Sequence, residues 1–414
     1  MFDRAEAIDK GFTTRVAASD FPAPVSNLGH LDAGLTDTDL IHLFESQVMS
    51  RHLDLIARRS KGQTFYSIGS SGHEATAAVA RASRLTDMAF LHYRDGAFLI
   101  QRRREKGGAP VLYDMMLSFA AAKDDPVSQG RHKVLGGADI FVPPQTSTIA
   151  SHLPKAVGAA HSIGLSRKIA GLESVLPGDA VILCSFGDAS ANHSTAQGAI
   201  NATCWAAFQS IPMPIVFVCE DNGIGISTAT PDGWIAANYK NREGLHYLYC
   251  DGLNILDTYQ TAKEAERIAR ELRKPVFLHV RTVRLLGHAG SDAEFVYRDI
   301  ADITATEFQD PLLHTARIIL ENNILTADEL ISIYDQIEQR IEVVAENAAS
   351  KEKLTSADAV MKSIVPDVLK ARSSSIVTPE RRNEIFKHEK HNLKKKQHLA
   401  KLINWALMDL MAEY

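Results

Sequence analysis

The chain has 414 residues, which is enough for two domains or for one large α/β domain with further segments. A net charge of −5 and a 45% share of hydrophobic residues exclude a strongly basic nucleic-acid binder and favour an ordinary globular protein. The four cysteines lack CxxC spacing and are predicted to be small core residues in a reducing compartment. Since the N-terminus has no apolar signal segment and no run approaches about 20 apolar residues, we expect a cytoplasmic protein without a membrane partner.

The N-terminal residues 1–38 are predicted to form an arm across a partner or across the main domain, because a helix-like stretch precedes the Pro- and Gly-bearing segment Pro22–Gly34. The main domain is predicted to cover residues 39–350. It begins with a helix over residues 40–59, where apolar residues recur at spacings of three and four and basic residues close the last turn.

Two dipeptides follow this helix. Phe65 and Tyr66 precede Ser71–Glu74, which is predicted to open the next helix, and Tyr93 and Arg94 follow a short apolar stretch. The planar guanidinium of Arg94 suits a phosphate, because it donates two hydrogen bonds in register. Phe65 and Tyr66 are equally well explained as core aromatics, and a lone Tyr–Arg pair identifies no site.

Loops and small residues occupy the next stretch. Residues 106–141 are predicted to be loops around one helix at Tyr113–Ala122. The segment Thr146–Pro154 then leads into a predicted helix over residues 155–168, whose alanines and glycines allow close packing against its neighbours.

Two apolar runs, Val181–Phe186 and Ile215–Cys219, are too short for helices and are rich in residues that suit strands buried on both faces. Between them, Ser194–Phe208 has no proline and is long enough for the crossover helix that a parallel strand pair requires. The sequence therefore predicts two neighbouring parallel strands in a βαβ unit.

Polar residues follow both of these strands. Gly187–Asp188–Ala189–Ser190 comes after the first and Asp221–Asn222–Gly223 after the second, so a carboxylate and an amide oxygen meet at the sheet edge where ligands collect. Such oxygens suit Mg²⁺, which takes few protein ligands, and the glycines let the backbone approach an anion. Read separately, Asp188 is better explained as a helix cap and Asn222 as a turn residue; together they indicate a metal and phosphate site.

The spacing of these two motifs resembles the diphosphate and metal motif of thiamine-diphosphate enzymes. The longer stretch Val216–Thr228 (VFVCEDNGIGIST) resembles the alpha subunit of the first, decarboxylating component of 2-oxo acid dehydrogenase complexes. The resemblance implies an α/β thiamine-diphosphate-binding fold, with a parallel β-sheet, helices on both faces and a helical C-terminal segment. It also implies the cofactors thiamine diphosphate and Mg²⁺, with the metal held by the side chains of Asp188 and Asn222 and by the carbonyl of Ile224.

Further elements are predicted as a strand and turn at His246–Asn254, a helix at Thr261–Arg273 and a strand at Pro275–Val283. The last strand leads to Arg284 and Gly287–Asp292, which resemble the R-x-x-G-H-S-x-S-D motif of the same family. The resemblance makes His288 the catalytic residue, donating a hydrogen bond or a proton to the oxyanion that forms when the cofactor adds to a 2-oxo acid. Ala289 stands where animal relatives have a serine modified by regulatory kinases, so no such switch is expected.

The resemblance also assigns roles to residues met earlier. It places Phe65 and Tyr66 at the substrate entrance, and Ile149 as the wedge that bends thiamine. The cofactor-binding residues that it implies are Tyr93, Arg94, Ser147, Ile149, Gly187, Asp188, Ala189, Ser190, Asn222, Ile224 and His288. Two departures from the family bear on this set: Glu220 stands where branched-chain relatives direct an arginine at the diphosphate, and Ala189 replaces the second glycine of a GDG motif.

The rest of the chain is predicted to be largely helical, with Asp310–Pro311 and a capping box at Thr326–Glu329 starting two helices. Residues 351–398 are predicted to be a helical, basic linker, because runs of Lys and Arg more often form an exposed helix than a nucleic-acid patch. Residues 399–414 are amphipathic and resemble the opening helix of the family's beta subunit. This resemblance implies the alpha half of a fused alpha–beta chain.

The family resemblance implies oxidative decarboxylation of a 2-oxo acid and acyl transfer to a lipoyl arm. Its implied partners are a beta subunit or fused beta half, which supplies an activating glutamate, and a lipoyl-bearing acyltransferase, in a heterotetramer or a dimer of fused chains. The Phe65–Tyr66 pair resembles branched-chain 2-oxo acid enzymes more than pyruvate enzymes, which implies a branched-chain substrate rather than pyruvate. Two alternatives stay open: another thiamine enzyme, of acetoin dehydrogenase or transketolase type, and a non-catalytic assembly module that keeps the fold.

Overall fold

The computed structural model describes residues 4–60, 67–108, 110–145, 147–166, 168–169, 175–363, 377–389 and 392–413. The chain divides by its internal contacts into two units, residues 1–354 and residues 355–414. Among the described residues, no helix is both long and apolar enough to cross a lipid bilayer. All four cysteines are buried and free, as small core residues should be.

The helices of the first unit are α1 Arg4–Ala18, α2 Asp37–Arg59, α3 Thr76–Ala82, α4 Gly96–Lys106, α5 Val111–Phe119, α6 Leu153–Ser166, α7 Ser194–Phe208, α8 Trp234–Tyr239, α9 Ile255–Glu271, α10 Ile300–Glu307, α11 Pro311–Glu321 and α12 Ala327–Ala349. Its strands are β1 Met88–Phe90, β2 Leu135–Gly137, β3 Val142–Gln145, β4 Ile182–Gly187, β5 Ile215–Asp221, β6 Ile224–Gly225, β7 Thr228–Ala229, β8 His246–Asp251 and β9 Val276–Arg281. The predicted βαβ unit is confirmed, including the bounds of its crossover helix α7.

The main sheet is parallel and has the strand order β1-β4-β5-β9-β8. Strands β4 and β5 are direct neighbours, with Gly187 opposite Glu220 at their carboxyl ends. Two short antiparallel pairs, β2–β3 and β6–β7, lie outside this sheet. The parallel register brings the residues that follow β4, β5 and β9 to one edge, where ligands bind in open α/β sheets.

Alternate residues of β5 enter cores on opposite sides of the sheet. Val216 and Val218 belong to a cluster that includes apolar residues of α2, α4, α9 and α12. Phe217 and Cys219 belong to a second cluster with residues of α6, α7 and α8. Because neighbouring strand residues point to opposite faces, this division shows that helices cover both faces and confirms the predicted fold class.

One helix begins earlier than the sequence pattern predicts. Helix α9 starts at Ile255 rather than at Thr261, because the side chain of Asn254 accepts hydrogen bonds from the backbone amides of Leu256 (2.9 Å) and Asp257 (3.2 Å). An asparagine at this position satisfies amides that the first helical turn leaves without partners. The capping box predicted at Thr326 is present at the start of α12.

The N-terminal residues pack on the body of the first unit. Helix α1 buries Phe12, whose ring stacks on Tyr334 of α12 at a centroid distance of 4.5 Å. Arg4 donates a hydrogen bond to the carbonyl of Leu285 at 2.6 Å and pairs with Glu307. The described part of the arm thus packs on the main domain, and a contact of the arm with a partner stays a prediction.

The second unit contains α13 Ala357–Met361, α14 Pro379–Ile385 and α15 Leu399–Glu413 in its described part. Arg382 pairs with Asp409 through two hydrogen bonds of 2.7 and 2.9 Å, and Phe386 packs edge-on against Trp405. The predicted amphipathic stretch from residue 399 is therefore a helix that packs against α14. The division between the two units falls after residue 354, and the domain bounds drawn from the sequence stay predictions.

Candidate active site

Two turns meet at the carboxyl ends of β4 and β5. The backbone amide of Asp188 donates to the carbonyl of Glu220 at 3.2 Å, which holds the first turn against the second strand. Thr230 connects the two turns, because its backbone amide donates to the carbonyl of Gly223 (2.8 Å) and its hydroxyl donates to the carboxylate of Asp188. The structure thus brings together the motifs that the sequence placed at two strand ends.

Backbone contact between these turns is close. A Cβ atom added to Gly225 would lie 2.4 Å from the Cβ of Ala189, so only glycine fits at this point of β6. Burial raises the pKa of Asp188 to about 6, although the hydrogen bond from Thr230 acts to lower this pKa. A buried carboxylate whose charged form is disfavoured is a suitable partner for a cation.

The donor atoms near these turns fit a magnesium ion. The set consists of the carboxylate of Asp188, the amide oxygen of Asn222 and the carbonyl of Ile224, which are hard oxygen ligands, and Mg²⁺ prefers such ligands. Three protein oxygens leave the remaining positions of an octahedral shell to phosphate and water.

A second group of predicted residues lies beside these turns. Arg94 donates from Nη1 to the carbonyl of Gly69 at 2.6 Å, and from Nη2 to the carbonyl and Nδ1 of His288 at 3.2 and 3.3 Å. The ring of Tyr93 meets that of His288 edge-on, with centroids 6.2 Å apart. The structure therefore assembles Tyr93, Arg94 and His288 although about 190 residues separate the histidine from the other two.

His288 is a neutral hydrogen-bond donor at neutral pH. Burial, reinforced by the charges of Arg94 and Arg284, lowers the pKa of His288 to about 4. Because Arg94 donates to Nδ1, the ring proton of the neutral imidazole is on Nε2. The side chain thus presents an N–H group away from Arg94.

The loop that carries His288 is held by its own hydrogen bonds and is fixed to the turn that follows β5. The backbone amide of His288 donates to the carboxylate of Asp292 at 2.6 Å. Arg284 donates to the carbonyl of Ile226 and to the hydroxyl of Tyr297, both at 2.7 Å. Arg284 is buried and so links the end of β9 rigidly to the turn that follows Asn222.

Two predicted residues lie on the segment after β3. The hydroxyl of Ser147 is 3.3 Å from Nε2 of His132, and the neighbouring Lys133 donates to the carbonyl of Tyr93 at 3.0 Å. Residues 132 and 133 therefore bridge the Ser147 segment to Tyr93. Ile149 is 46% exposed, and its wedge role stays a prediction. Phe65 and Tyr66 lie outside the described residues, so their substrate contacts also stay predictions.

Sequence reasoning missed His92, which lies under the first turn. Its backbone amide donates to Ser185 and to Asp95, both at 2.8 Å. Its ring is 4.1 Å from that of Tyr93, and a Cβ on Gly187 would lie 3.5 Å from its Cε1 atom. His92 therefore joins the Tyr93–His288 group to the Gly187–Asp188 turn.

Sequence reasoning also assigned no role to His73, and it considered Glu220 only as the replacement of an arginine that branched-chain relatives direct at the diphosphate. Both side chains are fully buried, with Nδ1 of His73 at 2.6 Å from Oε2 of Glu220. Burial lowers the pKa of His73 well below its usual value and raises that of Glu220 to about 8. A carboxylate within the apolar strand β5 was the available signal, because such a residue is seldom buried without a partner.

The family model of the dehydrogenase E1 component matches residues 45–357. The chain belongs to this family. The match covers the sheet, both turns and the loop of His288, so the family resemblance drawn from the motifs is confirmed.

Curated relatives are similar to this chain at modest identity. The 2-oxoisovalerate dehydrogenase subunit alpha of Bacillus subtilis is 25% identical over 318 residues, which is 74% of this chain and 90% of that protein. The mitochondrial subunit of the same name from Mus musculus is 24% identical over 297 residues, covering 70% of this chain and 63% of the relative. The mitochondrial pyruvate dehydrogenase E1 component subunit alpha of Dictyostelium discoideum is 29% identical over 173 residues, which is 41% of this chain and 44% of that protein. The chain thus spans less than two thirds of the mouse and Dictyostelium relatives.

Proposed function

We propose that this chain is the alpha part of a thiamine-diphosphate-dependent 2-oxo acid dehydrogenase that decarboxylates a branched-chain 2-oxo acid. One observation carries the proposal: Thr230 joins Asp188 to Gly223, the residue after Asn222, across the ends of two neighbouring strands, and the Arg94–His288 pair forms a second part of the site. Membership of the dehydrogenase E1 component family supports thiamine diphosphate as the cofactor. The names of the Bacillus and mouse relatives favour a branched-chain substrate.

In this proposal, Asp188, Asn222 and the carbonyl of Ile224 would hold Mg²⁺, and the metal would supply positive charge to anchor the cofactor diphosphate. Arg94 would supply a further cation for the diphosphate, and its contacts with Gly69 and His288 keep the guanidinium in place. When bound, thiamine diphosphate supplies the carbon nucleophile and the electron-accepting ring that decarboxylation of a 2-oxo acid requires.

His288 donates a hydrogen bond to the substrate keto oxygen as negative charge develops there. Its low pKa keeps the imidazole neutral, and Arg94 directs its proton to Nε2. A preorganised donor of this kind stabilises charge that appears in the transition state, because the group does not have to reorient during the reaction. The neighbouring charges of Arg94 and Arg284 favour the same oxyanion.

We propose a beta half as the partner, in line with the alpha-subunit names of the relatives, and a lipoyl-bearing acyltransferase as the acceptor of the acyl group. The cofactor would then lie between the alpha and beta parts, and the chain alone would turn over poorly.

The test is calorimetric titration of thiamine diphosphate with Mg²⁺ into the full chain combined with a beta half. We expect binding that disappears in Asp188→Ala and persists in Asp179→Ala, an exposed aspartate paired with Arg84. Release of CO₂ from 2-oxoisovalerate and from pyruvate by the same preparation then identifies the substrate. Absence of binding in every form would overturn the catalytic proposal and favour the assembly module.

A further inference from the structure

We propose that Glu220 and His73 are positioning residues, which orient the side-chain amide of Asn222 so that its oxygen faces the metal. This inference rests on the proposed function. Glu220 lies opposite Gly187 in the sheet, and His73 lies between Glu220 and Asn222. The two distances are 2.6 Å from Glu220 Oε2 to His73 Nδ1, and 2.9 Å from His73 Nε2 to Asn222 Nδ2.

The orientation of the Asn222 amide follows from its other contact. The backbone amide of Ile224 donates to Oδ1 of Asn222 at 3.1 Å, so the oxygen lies on the side of the turn and the NH₂ group lies on the side of His73. An amide oxygen has two lone pairs. One accepts from Ile224, and the second stays available to a metal.

The orientation of Asn222 then determines the proton on His73. The NH₂ group can only donate, so Nε2 of His73 must be the acceptor. A neutral imidazole carries one proton, which is therefore on Nδ1 and is donated to Glu220. Hydrogen-bond donors and acceptors therefore alternate from Glu220 through His73 to Asn222, and we call this arrangement the relay. Because His73 and Glu220 are buried, water cannot substitute for a lost partner.

Breaking this alternation would turn the amide of Asn222. Without an acceptor at Glu220, His73 is free to carry its proton on Nε2, which would face the NH₂ group of Asn222 as donor against donor. The amide could escape this conflict only by rotating, and rotation would direct its oxygen to His73 and away from the metal. The side chain of Glu220 thus acts on the metal ligand although it does not touch the metal.

A different account of the same residues is a second metal site. His73, His92 and Glu220 each offer a ligand atom, and these atoms lie within 4.8 Å of one another. However, a ligand nitrogen needs a free lone pair, and Nδ1 of His73 carries the proton in the relay. The contact between Ile224 and Asn222 therefore favours the relay over a metal ion.

The relay also gives Glu220 a role of its own. The sequence resemblance places a diphosphate-directed arginine at this position, and its replacement by a carboxylate suggested a loss. In the structure the side chain lies beneath the turn and acts through His73. Arg94 and His288 remain as the nitrogen donors at the diphosphate side.

The first test measures metal affinity. Mn²⁺ would be titrated with thiamine diphosphate into the full chain and its beta half, and free Mn²⁺ would be followed by electron paramagnetic resonance. We expect about 10- to 100-fold weaker Mn²⁺ binding in His73→Leu, as for other outer partners of metal ligands. His73→Gln should restore most of the affinity, because its amide keeps one donor and one acceptor. His52→Leu, which removes another fully buried imidazole that packs on Tyr334, is the matched control.

Several outcomes would overturn the inference. Wild-type affinity in a folded His73→Leu variant would do so, as would equal losses in His73→Gln and His73→Leu. If His73→Leu fails to fold, Glu220→Gln and Glu220→Met replace it, since only the first keeps an acceptor for Nδ1. Failure of the wild type to bind Mn²⁺ at all would instead refute the proposed function.

The second test needs no cofactor. The ¹⁵N chemical shifts of the histidine rings report which nitrogen carries the proton, and His73→Gln identifies the signal of His73. We expect a neutral ring with its proton on Nδ1. A proton on Nε2 would refute the relay even if the cofactor binds, and addition of Zn²⁺ without a shift of this signal would exclude the second metal site.

Discussion

Arg51 provides the sharpest test of how the site is supported. Its side chain in α2 is fully buried and donates to Glu74 at 2.8 Å and to both carboxylate oxygens of Asp310 at 2.7 and 2.8 Å. Glu74 in turn accepts from the backbone amide of Gly72 at 2.7 Å, just before His73. Asp310 also caps α11. One guanidinium therefore joins α2, the segment that precedes α3, and the start of α11.

The change Arg51→Met keeps much of the side-chain volume and removes the charge. It leaves two buried carboxylates without their cation, and breaking a buried ion pair in this way typically costs about 3 to 5 kcal/mol. Since domains are commonly stable by about 5 to 15 kcal/mol, we expect a large fall in the urea midpoint. The loss should also loosen the Gly72–His73 segment.

The matched control is Arg267→Met. Arg267 likewise makes three hydrogen bonds to two carboxylates, those of Glu264 and Glu271, but its side chain is 46% exposed. Solvent screens such a pair, so we expect a much smaller change in the free energy of unfolding. Similar losses in the two variants would refute the reasoning from burial.

Three further predictions concern the site and its surroundings. His288→Gln should lower kcat by about 10²- to 10³-fold in a CO₂-release assay while thiamine diphosphate still binds, because one oxyanion donor is displaced; unchanged turnover would contradict this role. Gly225→Ala should cost about 1 to 3 kcal/mol in urea unfolding through overlap with Ala189, whereas Gly198→Ala in α7, where a Cβ meets nothing within 4 Å, should not destabilise. Burial lowers the pKa of His314 to about 4, so the unfolded chain binds a proton that the folded state refuses, and stability should fall as pH drops from 6.5 to about 4. His314→Leu should reduce this fall in the free energy of unfolding by at most about 3 kcal/mol. If the pH dependence of unfolding is the same in the variant, His314 does not cause the fall.

The sheet was predictable because its strands are continuous apolar runs. The apolar run Ile215–Cys219 is typical of a buried strand, and polar residues directly after such a strand must lie at the carboxyl edge of the sheet. The structure extends this strand to Asp221, since Glu220 and Asp221 continue the parallel ladder with Val280 and Arg281 of β9. A strand that ends in charged residues cannot be delimited from its hydrophobicity pattern alone.

The relay beneath the site was not predictable from local patterns. His73 and Glu220 are 147 positions apart, and neither has a spacing that indicates the other. Each alone resembles an ordinary polar residue near a turn. Their pairing depends on how the segment before α3 meets the carboxyl end of β5, which is a property of the assembled core.

The two halves of the site are supported by different kinds of structure. The half proposed to hold the metal depends on the register of β4 with β5 and on the proposed relay from Glu220. The His288 half depends on loops that bind each other through backbone hydrogen bonds, for example from Gly290 to the carbonyl of Ser67 at 2.8 Å.

This difference makes the halves separable by mutation. A Cβ on Gly290 would lie 2.1 Å from the hydroxyl oxygen of Ser67 and 3.5 Å from its Cβ, so Gly290→Ala should turn the Ser67 hydroxyl, disturb the contact between the two loops and leave the strand register intact. Such a change would act on turnover with little effect on Mn²⁺ affinity. Changes at His73 should instead weaken Mn²⁺ affinity first and lower turnover as a consequence, because in the proposed arrangement His73 reaches the substrate only through the metal.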